Sequence, residues 1–277
     1  MLIKNVFEVE EYKIHNTHLR KEEISLDPVK IIPITNLPII KNGDDLASLI
    51  CNAARIQGTP IEKGDIIVVT HVVVSRAEGT IIDLKTIVPS KFAKNIADSA
   101  GKDPRLVEVV LGESKRIVRM RNGKLITETH HGIICANSGI DKSNVSGNSV
   151  IAPLPRDADL SAKRIREKIE ELVSKKVAVI ISDTHGRPFR QGEINIALGT
   201  AGFEPIRDRR GEKDLFEYTI KVKRTAIADE LASAAELVIG QTNEGIPAAI
   251  IRGYSYSESE TANAKKLIRP SNEDLFI

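Results

Sequence analysis

The stretch Val177-Ala-Val-Ile-Ile-Ser-Asp-Thr-His-Gly-Arg-Pro-Phe-Arg-Gln-Gly192 decides how the rest of this 277-residue chain is interpreted. Its first five residues are apolar and mostly β-branched, which predicts a buried strand and is too short for a helix. Asp183 and Thr184 follow before a glycine turns the chain, and Arg187 and Arg190 then add two fixed positive charges. A carboxylate and a hydroxyl beside two guanidinium groups are typical of a site that holds a divalent metal together with phosphates. The simpler interpretation, a strand followed by a polar turn, stays open.

Hydrophobic periodicity and turn residues predict the other elements of the chain. Residues 66–75 predict one long buried strand with a polar exit at Arg76 and Glu78. A helix capped by Ser161 is expected before the strand at residue 177, and this helix-strand unit favours an α/β element. Further predictions are a helix over 46–54 capped by Asp44 or Asp45, helices after Ser90 and after Asp103-Pro104, a hairpin at Asn122-Gly123, a loop over 146–160, an alanine-rich helix over 227–238 and a strand over 248–251.

Composition and charge argue against several classes of protein. The chain has 40 basic and 38 acidic residues and a formal charge of +2, which gives no overall field suited to nucleic acid. No apolar run approaches the roughly 20 residues needed to span a bilayer, and the amino terminus lacks the apolar core of a signal peptide. Cys51 and Cys135 lie in apolar surroundings, where free thiols are expected to act as small core residues. We therefore expect a soluble cytoplasmic protein without nucleic-acid or membrane partners.

Four polar loops, each after an apolar element, predict a ligand site. They carry Arg76, Asp141 with Asn144, Asp183 with Thr184, and Gln241 with Glu244. In α/β proteins such loops commonly converge at one edge of the sheet. Two carboxylates, a hydroxyl and an amide oxygen form an oxygen-only set, which favours magnesium or manganese over zinc. His130 and His131 are candidate ligands as well, but a hydrogen-bonding role is the favoured interpretation.

Common nucleotide-binding and hydrolase motifs are absent from the sequence. It contains neither the G-x-x-x-x-G-K-[ST] pattern nor a G-x-G-x-x-G after a strand, so any nucleotide must be held by another architecture. No G-x-S-x-G elbow or Ser-His-Asp order supports a serine nucleophile. The residues by themselves predict a metal-dependent phosphoryl-transfer site with an unknown substrate.

The motifs and their order resemble those of the GTP-dependent gamma-glutamyl ligases that complete the deazaflavin coenzyme F-420. The resemblance covers the chain from about residue 31 onward. It is carried by Leu37-Pro38, Gly43-Asp44-Asp45, the segment 64–79, His131-Gly132 to Asn144-Val145, the segment 182–192, the alanine-rich helix, residues 240–247, Leu267-Ile268-Arg269-Pro270 and Glu273-Asp274-Leu275-Phe276. Residues 1–29 lie outside it, as an amino-terminal extension to a ligase domain over 30–277 that can comprise two closely joined subdomains.

The resemblance implies an α+β fold with a mixed sheet and packed helices, an intertwined homodimer, two sites for Mg²⁺ or Mn²⁺ and an assisting K⁺. It implies that Asp141 and Asp183 bind one divalent metal and that Thr184 and Gln241 help to hold the other. The implied GTP contacts are Leu37, Pro38, Ile39, Ile40, His71, Val72, Arg76, Asn144, Ile239, Gly240, Gln241, Thr242, Asn243, Glu244, Gly245 and Ile246. The family usually has lysine in place of Arg76, and arginine offers a planar fork, so the nucleotide preference is open.

The reaction implied by the resemblance adds L-glutamate to the coenzyme precursor through an amide bond. A terminal carboxylate of the precursor attacks the γ-phosphate of GTP to give an acyl phosphate, and the amine of glutamate then displaces phosphate. Arg187 or Arg190 would neutralise charge on the transferring phosphoryl group. Three other interpretations stay open: an amino-acid ligase for a different carboxylate, a metal-dependent phosphohydrolase, and a nucleotide-binding regulatory dimer.

Overall fold

A six-stranded mixed sheet with helices on both faces forms the centre of the protein. The computed structural model describes residues 28–144, 147 and 149–275. Its helices are α1 (Leu46–Ile56), α2 (His71–Ala77), α3 (Lys91–Ala100), α4 (Pro104–Gly112), α5 (Ala158–Val173) and α6 (Ile227–Ile239). Its strands are β1 (Lys30–Pro33), β2 (Ile66–Thr70), β3 (Ile82–Asp83), β4 (Ser114–Arg121), β5 (Lys124–Thr129), β6 (Ile134–Ala136), β7 (Val150–Ile151), β8 (Ala178–Gly186), β9 (Glu193–Phe203), β10 (Arg207–Asp208), β11 (Arg224–Thr225), β12 (Ala248–Arg252) and β13 (Glu258–Ser259).

The predicted α+β fold with a mixed sheet and packed helices is confirmed. Residues 1–27 of the predicted amino-terminal extension lie outside the described residues. Across the part of the chain that is described, none of the helices combines the length and the apolar character needed to cross a membrane. The predicted homodimer stays a prediction.

The central sheet has the strand order β1-β12-β2-β8-β9-β13. β2 and β8 run parallel, and the other neighbouring strands run antiparallel. Parallel pairing sets the carboxyl end of β2 beside the middle of β8, with Thr70 opposite Ser182. Past this point, residues 183–186 of β8 pair with residues 193–196 of β9, and these two segments are termed the β8–β9 ribbon.

The inner strands of the sheet are buried on both faces. Ile67 and Val69 of β2 pack in a cluster with α1 and α5, whereas Ile66 and Val68 pack in a cluster with α6. The alternation follows from the two-residue period of a strand, and β8 and β12 repeat it. A strand covered by helices on both faces must be apolar at every position, which explains the apolar run at the start of the stretch 177–192.

A smaller apolar cluster gathers α3 and α4 with β5 and β7. β4 and β5 form the predicted hairpin, and its turn residues Asn122 and Gly123 have φ angles of 50° and 72°. These two positive values are what a tight two-residue hairpin turn requires. β6 extends the hairpin to a three-stranded sheet and lies against β8. This arrangement brings the segment after β6 towards the central sheet.

The prediction of one long strand over residues 66–75 is wrong. β2 ends at Thr70, and α2 begins at His71. The valines at 72–74 favour extended structure by local propensity. In the fold, however, Val73 and Val74 reach the core from one side of a short helix, so tertiary burial overrides propensity. The break places His71 directly after the end of β2.

The predicted cap of α5 is also corrected. The helix begins one turn before Ser161, and its cap is Asp157, whose side chain accepts a hydrogen bond from the amide of Leu160 at 2.9 Å. Aspartate satisfies the free amides of a helix start as well as serine does. The predicted loop over 146–160 is therefore shorter, and it contains β7.

Substitution of Gly199 tests the close packing of the start of α5 against β9. A Cβ atom at Gly199 would lie 2.2 Å from the backbone carbonyl carbon of Ala158, the first residue of α5. Since backbone can make room only if the helix shifts, we expect Gly199→Ala to lower the free energy of unfolding by about 1–3 kcal/mol or more. Gly112→Ala is the matched control, because nothing lies within 4 Å of the Cβ position there. Urea unfolding measures both, and equal stability of the two variants would contradict this packing.

Candidate active site

The end of β2 and the start of the β8–β9 ribbon form one side of the candidate site. The register between β8 and β9 shifts here, because Ile181 faces Gly199 whereas Ser182 faces Ala197. Leu198 is therefore an extra residue on β9, which makes a bulge. Bulges are common beside active sites, since they bend the strand and re-aim its side chains. This bulge lies where β8 leaves β2 and enters the ribbon.

A cavity of about 480 Å³, within the usual range for ligand sites, lies at this edge of the sheet and is termed cavity 1. It brings together most of the site residues predicted from separate parts of the sequence. These are Leu37, Pro38, Ile39, Ile40, His71, Val72, Arg76, Asp141, Asn144, Asp183, Thr184, Ile239, Gly240, Gln241, Thr242, Glu244, Gly245 and Ile246. The predicted residues Asn243, Arg187 and Arg190 do not line it.

A buried histidine orients the carboxylate of Asp183. His71 Nδ1 lies 3.1 Å from Asp183 Oδ1, and the two side chains are 2% and 13% exposed. The same oxygen accepts a hydrogen bond from the amide of Thr184 at 2.7 Å. Burial disfavours a charged imidazole, but Asp183 and the more remote Asp141 favour it more strongly, so the pKa of His71 is raised. Both contacts engage Oδ1 and leave Oδ2 to a ligand.

Asp141 and Arg76 reach cavity 1 from two other segments. Asp141 pairs through its backbone with Ala152, and its Oδ1 accepts hydrogen bonds from the amide and the hydroxyl of Ser143 at 2.6 and 2.7 Å. This is the pattern by which aspartate stabilises a turn. Arg76, in the last turn of α2, donates a hydrogen bond to the backbone carbonyl of Asn144. The bond joins α2 to the segment that carries Asp141.

Thr184, Gln241 and Asn195 bring side-chain oxygens of three segments together. Thr184 Oγ1 lies 2.8 Å from Gln241 Oε1 and 3.1 Å from Asn195 Oδ1. Gln241 Nε2 lies 3.3 Å from the same Asn195 oxygen and 3.1 Å from Glu236 Oε1. The single hydroxyl hydrogen of Thr184 serves one oxygen at a time. The cluster is therefore rich in acceptors, which is the character of a cation site.

The oxygens of cavity 1 fit Mg²⁺ or Mn²⁺ better than zinc. Within the described residues, no group of three or more His, Cys, Asp or Glu side chains could hold a metal by itself. Mg²⁺ rarely uses such a cage, because it keeps several waters and is bound by one or two carboxylates together with substrate phosphates. Three carboxylates line cavity 1, those of Asp141, Asp183 and Glu244, and Glu244 accepts hydrogen bonds from Thr242. Asp141 and Asp183 are the two carboxylates predicted as metal ligands. The buried hydroxyl of Ser182 also lines the cavity without a hydrogen-bond partner among the described residues, as expected where a ligand or water completes the site.

Asn195 is a candidate site residue that the sequence analysis missed. It is 3% exposed and lines cavity 1. In the sequence it lies among alternating apolar residues of β9, where a polar side chain is expected to point to solvent. The signal that identifies it is its pairing, because it lies directly opposite Thr184 in the β8–β9 ribbon. Asn195 can therefore be identified from the strand register but not from the composition of the segment.

Arg187 and Arg190 lie in the loop between β8 and β9. Arg187 Nη2 donates a hydrogen bond to the backbone carbonyl of Gln191 at 3.2 Å, and Arg190 is exposed. The role predicted for them at the phosphates stays a prediction. The arginine that lines cavity 1 in the described part of the chain is Arg76.

Two histidines and the two cysteines lie outside cavity 1, and their contacts favour structural roles. Nε2 atoms of His130 and His131 each lie 2.9 Å from a backbone carbonyl oxygen, so the predicted hydrogen-bonding role is confirmed. Cys51 and Cys135 are free thiols. Burial raises the pKa of these thiols to about 11 and about 12, which keeps both neutral near pH 7.

Known proteins match most of this chain. Residues 35–253 match the family described as F420-0:Gamma-glutamyl ligase. A protein of Methanothermobacter thermautotrophicus named coenzyme F420:L-glutamate ligase is 47% identical over 249 residues, which cover 90% of this chain and 98% of the relative. Proteins of the same name are 48% identical over 242 residues in Methanocaldococcus jannaschii, covering 87% and 94%, and 39% identical over 248 residues in Archaeoglobus fulgidus, covering 90% and 96%. This chain belongs to the F420-0:Gamma-glutamyl ligase family.

Proposed function

We propose that this protein joins L-glutamate to a carboxylate of the coenzyme F420 precursor, with GTP as the phosphoryl donor and a divalent metal as cofactor. The observation that carries the proposal is that Asp141, Asp183, Thr184 and Gln241, which are far apart in the sequence, line one cavity. The names of the relatives supply the amino acid and the coenzyme. The resemblance of the motifs supplies GTP, the homodimer and the assisting K⁺.

Cavity 1 is assigned to GTP because its walls combine apolar and polar surfaces. Residues 37–40 contribute an apolar wall that suits a base, and the loop after α6 contributes polar groups. That loop is tightly folded: Gly240 has a φ of 75°, and a Cβ there would lie 2.3 Å from the carboxyl carbon of Glu244. Glu244 in turn accepts a hydrogen bond from the amide of Thr242 at 2.8 Å. The positive φ favours glycine at this position of the loop.

The residues of cavity 1 would act by positioning and by charge. When bound, divalent metals neutralise and orient the phosphates. Asp141 and Asp183 would hold one ion, and the cluster around Thr184 and Gln241 would hold the other. His71 keeps the carboxylate of Asp183 in one orientation, and a fixed second partner of this kind strengthens a ligand. Positioning and electrostatic stabilisation supply most of the catalysis in phosphoryl transfer.

The proposed reaction makes two bonds in sequence. A carboxylate oxygen of the precursor attacks the γ-phosphorus of GTP, and the bond to the bridging oxygen breaks, which leaves GDP and an acyl phosphate. The amine nitrogen of glutamate then attacks the acyl carbon, the carbon–oxygen bond breaks, phosphate leaves and one amine proton passes to solvent. Neither step needs a protein nucleophile, in agreement with the lack of a serine-nucleophile motif in the sequence.

Product analysis tests the proposed function. The protein is incubated with the coenzyme precursor, GTP, L-glutamate and Mn²⁺, and the products are measured by mass spectrometry together with released phosphate. We expect the precursor to gain the mass of at least one glutamate residue. Release of phosphate from GTP should require both the precursor and L-glutamate. Phosphate release without them would identify a phosphohydrolase, and binding of GTP without its consumption would identify a regulatory dimer.

Asp183→Asn is expected to abolish ligation while the fold persists. The amide keeps an oxygen but loses the charge that holds the metal, so the loss should exceed the roughly 10–100-fold that follows removal of a residue that only orients a ligand. Initial rates and Mn²⁺ binding by isothermal titration calorimetry measure the effect.

Asp98→Asn is the matched control for the loss of one carboxylate, because Asp98 is exposed on α3 and does not line cavity 1. It should leave both measurements unchanged. Full turnover by a folded Asp183→Asn protein would end the assignment of the metal site.

Asn195→Ala is expected to weaken metal binding without a comparable effect on GTP affinity. Asn195 orients Thr184 and Gln241, and the loss of such a supporting residue typically costs about 10–100-fold in metal affinity. Thr200→Val is the matched control, since Thr200 is 2% exposed on the same strand and does not line cavity 1. Calorimetric titration with Mn²⁺ separates the two. Equal Mn²⁺ affinity in both variants would show that Asn195 does not support the metal.

A further inference from the structure

A second cavity, of about 760 Å³, lies between the β8–β9 ribbon, the start of α5 and the carboxyl-terminal segment, and is termed cavity 2. Two parts of the family motifs that do not line cavity 1 meet here: His131-Gly132, which begins the motif ending at Asn144-Val145, and Leu267-Ile268-Arg269-Pro270. A Cβ atom on Gly132 would lie 3.5 Å from the Ile268 side chain, so the two segments are in contact. His131 Nε2 also lies 3.0 Å from the backbone carbonyl of Arg156, which ties the first motif to the start of α5.

Cavity 2 lies next to the proposed metal ligand Asp183. Because side chains alternate between the two faces of a ribbon, His185 and Ile196 share a face with Asp183. Both of these neighbours line cavity 2, whereas Thr184 and Asn195, on the other face, line cavity 1. Asp183 itself lines cavity 1. Residues of the ribbon therefore line both cavities, and the residues next to the proposed metal ligand Asp183 on its own face of the ribbon belong to cavity 2.

Some charged groups of cavity 2 already have ion-pair or hydrogen-bond partners in the protein, and others do not. Its cations are Lys115, Arg116, Arg156, Lys265 and Arg269, and its carboxylates are Glu128, Asp157, Asp159, Asp229 and Asp274. Glu128 lies 2.7 Å from Arg116 and 3.7 Å from Lys115, so both of these cations already have a carboxylate partner. Oδ1 atoms of Asp157, Asp159 and Asp229 accept hydrogen bonds from backbone amides.

Three cations remain for a ligand. Arg156, Lys265 and Arg269 are exposed and form no ion pair with any described residue. They lie on two segments that both line cavity 2, one before α5 and one near the carboxyl terminus. Arginine and lysine placed in this way favour carboxylate and phosphate groups.

The rest of the lining is largely apolar. It includes Ile133, Ile134, Ile196, Leu198, Leu267 and Ile268. A surface of this size with separate cationic points fits a ligand that has a broad apolar part and anionic groups at a distance from it. Inorganic phosphate or a single amino acid would leave most of this apolar surface without a contact.

We propose that cavity 2 binds the acyl acceptor. The ring of the coenzyme precursor contacts the isoleucine and leucine side chains, and its anionic groups contact Arg156, Lys265 and Arg269. The carboxylate that accepts the phosphoryl group reaches past the Asp183 edge of the ribbon to the γ-phosphate in cavity 1. This inference rests on the proposed function, because it assigns the place of one of its substrates.

Charge-removal variants test the assignment. Lys265→Gln, Arg269→Gln and the double variant are compared with Lys266→Gln, the matched control, since Lys266 pairs with Glu204 at 2.7 Å and does not line cavity 2. Equilibrium dialysis of the coenzyme precursor without GTP gives Kd, and steady-state rates give KM for each substrate. We expect Kd and KM for the precursor to rise about tenfold or more for each cation removed, because a hydrogen bond to a charged group is lost. KM for GTP and for glutamate should stay at the wild-type value, as should every constant of the control.

An unchanged Kd for the precursor in the double variant would overturn the inference. A rise in KM for glutamate with no change for the precursor would overturn it too, and would assign cavity 2 to the amino acid. If the wild-type protein forms no ligation product, the proposed function fails. The dialysis measurement needs no turnover, so it still decides whether cavity 2 binds the precursor.

Discussion

The parallel pairing of β2 with β8 is the constraint on which the candidate active site depends. It sets Thr70 opposite Ser182, so that the residues after them, His71 and Asp183, come within 3.1 Å of each other. A slip of one residue would move the whole polar set of the ribbon to the opposite face. The run of apolar residues in both strands holds this pairing in a fully buried sheet, and the polar groups begin only where β2 ends.

Burial gives the site its electrostatic character. A buried imidazole is costly unless a partner compensates, and Asp183 provides that partner. His71 Nε2 is nevertheless buried without a hydrogen-bond partner among the described residues, as is the Ser182 hydroxyl. Such unsatisfied groups are rare in proteins and tend to mark functional sites. In a site of low dielectric, the charges of Asp141 and Asp183 act strongly on a bound cation, which is why few charged residues are enough.

Much of the fold could be predicted from the sequence, because local signals and tertiary packing agree there. The caps Asp45, Ser90 and Asp103 and the Asn122-Gly123 turn each act through backbone groups a few residues away, so the sequence contains the whole signal. α2 could not be predicted, since its valines favour a strand and only the surrounding core makes them helical. The meeting of Asp141, Asp183 and Gln241 in one cavity could be predicted, because each lies in a polar loop that follows an apolar element, and such loops commonly meet at one edge of a sheet. The place of Asn195 in the site depends on the register between β8 and β9, which no local pattern in the sequence records.

The position of manganese in crystals grown with Mn²⁺ and GDP is the most direct test of the proposed metal site. Anomalous diffraction at the manganese absorption edge locates the ion without assumptions about its ligands. We expect manganese in cavity 1, in contact with Asp141 and Asp183 and beside the cluster of Thr184, Gln241 and Asn195, with the terminal phosphate of GDP adjacent. Manganese and nucleotide bound at another place, with cavity 1 holding neither, would contradict it.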